Sequence, residues 1–70
     1  MKIGEFLKQK IVNQGLTQKQ VADKLKVSQA QISSYLIRDI SVSTYLKLCK
    51  ASGLDPAETL AQYLEKNRQQ

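Results

Sequence analysis

Seventy residues make one domain, near the lower size at which a single hydrophobic core holds a fold without disulfides or bound metal. With 41% hydrophobic and 24% charged residues the composition is that of an ordinary globular chain, and no apolar run approaches the length of a membrane span. Eleven Lys and Arg against six acids leave a net charge of +5, while one Cys and no His remove intramolecular disulfides, Cys/His metal sites and nucleophiles that need an imidazole base.

The basic excess favours an anionic partner. Its placement says more than its size: Lys19, Lys24, Lys26 and Arg38 border one central stretch, whereas Asp55, Glu58 and Glu65 lie toward the end of the chain. The start, MKIGEFLKQK, holds no apolar stretch of signal-peptide length, so the expected location is cytoplasmic. Without His, a thiol and base pair or a phosphate-cradling Gly loop, the chain is expected to be neither an enzyme nor the holder of a cofactor. Cys49 lies in a helical pattern from Tyr45 to Lys50 and reads as a small buried residue.

Five helices and no strand are expected, because Val and Ile recur at helical spacings without period-2 runs and no Asn-Gly or Asp-Gly hairpin turn occurs. The first runs from about Ile3 to Asn13, with Ile3, Leu7 and Ile11 on one face, Phe6 beside them, and Gly15 as its stop. The second covers about Gln18 to Leu25, burying Val21, Ala22 and Leu25. The third covers Gln29 to about Ile37, burying Ile32, Tyr35 and Leu36. After a polar turn over Arg38 to Val42, Ser43 is the expected cap of the fourth helix, which carries Leu46, Leu48, Cys49 and Ala51 and stops at Gly53. The fifth opens with Asp55 as N-cap, Pro56 at the first helical position and Glu58 at the third. Ala57, Leu60, Ala61, Tyr63 and Leu64 give it an apolar side, and a frayed tail is expected at about 66–70.

The stretch Leu16 to Leu36, LTQKQVADKLKVSQAQISSYL, carries two helix-start signals eleven residues apart. Thr17 and Ser28 are each followed three residues later by Gln, the capping-box pattern. The helix between them is too short to be stable alone. The turn Leu25-Lys26-Val27 is too short for the next helix to reverse alongside it, so the two are expected to cross steeply and share a core. That is a helix-turn-helix, at about 17–37, with its second helix held proud of the body.

With Ile32, Tyr35 and Leu36 turned inward, Ala30 and Ser34 lie near the centre of the outer face and Gln29, Gln31 and Ser33 at its flanks. No charged residue occurs from Val27 to Ile37, although a quarter of the chain is charged. A neutral face of Gln, Ser and Ala bordered by cations suits the DNA major groove. Gln can pair with adenine through two hydrogen bonds, Ser can address several base edges, and Ala can meet a thymine methyl. Lys19, Lys26 and Arg38 are the candidate phosphate partners at the border, with Lys8 and Lys10 weaker ones.

This segment closely resembles the helix-turn-helix of the phage repressor/Cro type, the lambda-repressor-like or XRE-like family of bacterial, plasmid and phage regulators. KLCKASGLDPAETL resembles that family's fourth and fifth helices, and the likeness runs from about Ile3 to Leu64. The resemblance implies a compact five-helix all-α domain in which Gln18 bonds a phosphate and braces Gln29. Gln29 is then the first base reader, and Ala30 and Ser34 are the next two base-facing positions. It also implies a two-fold dimer meeting near the fifth helix, with Tyr63 and Leu64 as interface candidates, on a pseudo-palindromic double-stranded DNA operator. The sequence departs from the family pattern in four places, one of them a dipeptide. Lys26 stands where Gly is usual and predicts a non-Gly residue at positive φ; Ile37-Arg38 replaces Asn-Gly, Ile40 a common Pro, and Ser52 a Leu. The reading is a transcriptional regulator, most simply a repressor. A protein-interaction module on the same fold, binding a toxin or polymerase subunit, is the alternative.

Overall fold

The computed structural model describes residues 2–68 and contains five helices in chain order: α1 Ile3–Asn13, α2 Gln18–Leu25, α3 Gln29–Leu36, α4 Val42–Ser52 and α5 Pro56–Arg68. The start of α2 follows from Thr17, whose hydroxyl accepts from the Gln20 backbone N–H at 3.1 Å while the Gln20 side chain accepts from the Thr17 N–H at 2.8 Å. This reciprocal box satisfies two donors that a helix N-terminus otherwise leaves unpaired. The second box forms only by half. Ser28 accepts from the Gln31 N–H at 3.1 Å, but the Gln31 amide turns away to donate to the Tyr35 hydroxyl at 2.7 Å.

Three boundaries correct the sequence reading. The cap of α4 is Ser41 rather than Ser43: its hydroxyl accepts from the Thr44 N–H at 3.3 Å, and Ser43 lies within the first turn. Helix α3 closes at Leu36, with Ile37 as C-cap. Helix α5 starts as expected, Asp55 accepting from the Ala57 and Glu58 N–H groups at 2.9 and 3.2 Å, but it continues through Arg68, where a Glu65–Arg68 ion pair spans the last turn. The remainder of the expected frayed tail, 69–70, lies outside the described residues.

Leu7 and Ile11 of α1, Val21 of α2, Ile32 and Leu36 of α3, and Leu48 and Cys49 of α4 form the fully buried centre. Helix α2 packs on α3 and α4, α1 on α3, and α4 on α5. Leu25 and Tyr35, expected inside, are partly buried at the edge of this cluster, as is Val27 of the turn. Among the described residues no helix is long and apolar enough to cross a membrane.

Two backbone features set how α3 is carried. Lys26, the C-cap of α2, adopts φ 59° and ψ 41°, the left-handed conformation that its place in the turn predicts. Gly4 lets α1 close on the end of α3: a Cβ there would lie 2.4 Å from the Leu36 carbonyl oxygen, a contact with backbone that cannot swing aside. The first feature aims α3 and the second pins its far end.

Candidate nucleic-acid interface

Helix α3 turns Ile32 and Leu36 into the core and leaves Gln29, Ala30 and Gln31 exposed, with Ser33 and Ser34 half-buried. Each flank of this face is tied down. Toward α2, the Ser33 hydroxyl donates to the Gln18 Oε1 at 2.7 Å, so Gln18 braces Ser33, not Gln29 as the resemblance implied. A short hydroxyl is the partner within reach at that crossing, and the bond leaves the Gln18 amide N–H groups able to donate outward. On the other flank, Gln31 is engaged by Tyr35 one turn on. Ser34 receives two donors from Arg38: Nη2 to its hydroxyl, and Nε to its carbonyl oxygen at 3.3 Å.

Gln29 and Ala30 stand between these tethers. Among the described residues no side chain is bonded to the Gln29 amide, which presents donor and acceptor together at the start of α3. An amide edge of that kind matches the N6 and N7 edge of adenine, and a methyl beside it matches thymine. All five expected base-side residues thus share one face, but only two present unengaged surfaces; Gln31, Ser33 and Ser34 hold the face in shape.

The cations are arranged around it. Lys19 is exposed in the first turn of α2, beside Gln18. Lys26, exposed in the turn, joins Lys24 and Lys47 in a cleft also lined by Tyr35 and Thr44. Lys47 was not singled out in the sequence, and no linear signal joins position 47 to position 26; the packing of α4 on α2 does so. Lys10 lies 5.3 Å from the centre of the Phe6 ring, in a cation–π contact on α1. The arrangement is a neutral, hydrogen-bonding strip with positive charge at its rim.

A family model described as helix-turn-helix matches residues 7–59, spanning α2, α3 and the core that carries them. The chain belongs to this XRE and lambda-repressor-like helix-turn-helix family. It is a DNA-binding regulator of that family, one that is not typically enzymatic. No curated protein and no solved structure matches the chain.

The interface residues expected at Tyr63 and Leu64 differ in position. The Tyr63 ring packs against Phe6 with centroids 5.4 Å apart, so it serves the contact between α1 and α5. Leu64 is exposed. An apolar groove of about 440 Å³ lies between α4 and α5, lined by Ile40, Val42, Tyr45, Leu46, Pro56 and Leu60; the sequence pointed to the fifth helix but gave no sign of the α4 wall. Leu46 and Leu60, counted in the sequence among the apolar residues of the fourth and fifth helices, remain 47% and 42% exposed.

Proposed function

We propose that the protein is a sequence-specific transcriptional regulator that binds a pseudo-palindromic DNA operator as a homodimer and acts as a repressor by occluding a promoter. The observation that carries this reading is the uncharged outer face of α3, with the Gln29 amide presented beside Ala30 inside a rim of lysines. Phosphate contacts from Lys19, from the Gln18 amide and from the Lys24, Lys26 and Lys47 cleft set the register on the duplex, and the face of α3 selects the sequence. Electrostatic affinity without base contacts would not discriminate, and base contacts without the rim would be weak.

The second copy is the proposed occupant of the groove between α4 and α5. Its walls are almost wholly apolar, and exposed Leu64 adds to the same face of α5 one turn beyond Leu60. A two-fold operator needs two α3 helices about one DNA turn apart, which a symmetric contact through a patch shared by both copies provides.

Selection from a random double-stranded DNA library at near-physiological salt tests the proposal. Enrichment of a two-fold symmetric site, with affinity falling steeply as salt rises, is the expected result. Enrichment of a single unpaired half-site would remove the dimer, and no enrichment at all would remove sequence-specific binding.

A further inference from the structure

We infer that Arg38 reads a guanine, aimed by Ser34, rather than contacting a phosphate; this rests on the reading of α3 as the helix that enters the major groove. Arg38 lies two residues beyond the end of α3, and its side chain returns onto Ser34, where Nε donates to the carbonyl oxygen and Nη2 to the hydroxyl. Those two nitrogens form one side edge of the planar guanidinium. The end edge, with one N–H from Nη1 and one from Nη2, points away from that contact as a two-pronged donor. This is the pattern that pairs with O6 and N7 of guanine, the commonest specific contact in the major groove.

Three features favour a base over a phosphate. Ser34 is half-buried and its hydroxyl is already engaged, so it has little reach toward a base edge, whereas an arginine held on it extends that position outward. Both partners of Arg38 are neutral, so the guanidinium is oriented without its charge being cancelled. A phosphate contact does not require such aiming, since a lysine makes one as a point charge. Finally, guanine is read through two donors from Arg or Lys, and no such residue occurs from Val27 to Ile37. Arg38 supplies the donor pair that the face of α3 otherwise lacks, and Ser34 becomes a positioning residue.

The test is the duplex-library selection carried out with wild type, Arg38→Lys, Arg38→Ala and Ser34→Ala. Arg38 is exposed, so its variants leave the core intact. In the wild-type site, one guanine per half-site is expected to be preferred by about fivefold to a hundredfold over other bases. Arg38→Ala loses that preference while keeping the rest of the half-site, and Arg38→Lys, which has no planar fork to be held on Ser34, weakens it while keeping the salt dependence because it keeps the charge. Ser34→Ala weakens the same preference without changing the salt dependence. If Arg38→Ala instead weakens all sites equally and Arg38→Lys restores both affinity and the wild-type site, Arg38 is a phosphate contact and the inference fails while sequence-specific binding stands. An unchanged guanine preference in Ser34→Ala overturns the aiming role. If wild type enriches no site, the reading of α3 fails and this inference fails with it.

Discussion

Lys26 holds a left-handed backbone that costs a non-Gly residue about 1–2 kcal/mol. Replacing it with Gly, which accepts that conformation, is expected to stabilise the fold by about 1 kcal/mol, since part of the relief is offset by the greater freedom of Gly in the unfolded chain. For a domain of this size that is a rise of about 4–8 °C in Tm by thermal unfolding. Lys26→Ala keeps the strain and is expected to give no such rise. Both variants lose a rim charge, so both are expected to lower the salt dependence of DNA binding; a residue retained only for its charge would show the second effect and not the first. The positive φ was legible through the family resemblance, in which Lys26 fills the turn position usually held by Gly.

Two buried ionisable groups belong to the same scale. Burial pushes the Cys49 thiol above its ordinary value of 9.0, an effect that its hydrogen bond with Tyr45 opposes and the Asp55 carboxylate reinforces. Burial likewise pushes the Tyr45 phenol well above 10.0, with Cys49 and Asp55 adding to it, and the hydroxyl donates to the Pro56 carbonyl at 2.6 Å. The folded chain therefore keeps both protons at pH values where the unfolded chain releases them. Their contribution to stability is whole below the ordinary values and is lost as pH rises through 9.0 and beyond. Urea midpoints taken from neutral to strongly alkaline pH are expected to fall in the wild type above about pH 9 and to fall less steeply in Cys49→Ala. Parallel declines would show that the thiol is not held neutral by the fold.

At the scale of elements, the approach of α1 to the end of α3 depends on Gly4. Ala is intrinsically the better helix residue by about 1 kcal/mol. Gly4→Ala is nevertheless expected to destabilise the domain by about 1–3 kcal/mol in denaturant unfolding, because its Cβ would meet the Leu36 carbonyl and force α1 outward. A stabilised Gly4→Ala would show that α1 is not pressed against α3. Helix periodicity identified all five helices, since α1 to α4 each bury one face on a common core and α5 packs against α4 and the Phe6 ring. What local sequence could not decide was the choice between equivalent partners. Ser41 and Ser43 are both capping residues, and the backbone becomes helical after the first of them. Gln31 had two partners within one turn, the Ser28 N–H and the Tyr35 hydroxyl, and the second takes its amide. The outer face of α3 was readable from angular spacing, but the bonds from Gln18 and Arg38 that brace it depend on side-chain reach.

For the whole molecule, long-range packing supplied what spacing could not. Tyr63 and Leu64 looked alike on α5 until the Phe6 ring of α1 took one of them, and the three-lysine cleft exists only because α4 lies on α2. The net charge of +5 makes salt-dependent binding to a polyanion the first-order expectation, and the apolar groove between α4 and α5 makes self-association the second. Leu60→Lys, at an exposed position, is expected to change stability by less than about 0.5 kcal/mol. It is also expected to convert two-site binding on a symmetric duplex into weaker, independent half-site binding, as seen by sedimentation and by gel-shift stoichiometry. Unchanged two-site binding would place the dimer contact elsewhere.

Selection from a random duplex library with wild type and Gln29→Ala side by side asks whether the neutral face of α3 reads base edges. Gln29 is exposed and outside the core, so the variant alters the face and not the fold. The predicted result is a two-fold symmetric site whose sequence preference is blurred in the variant at one base pair per half-site, with the salt dependence unchanged. An identical site enriched equally well by both proteins would show that Gln29 reads no base and that the face of α3 does not select the sequence.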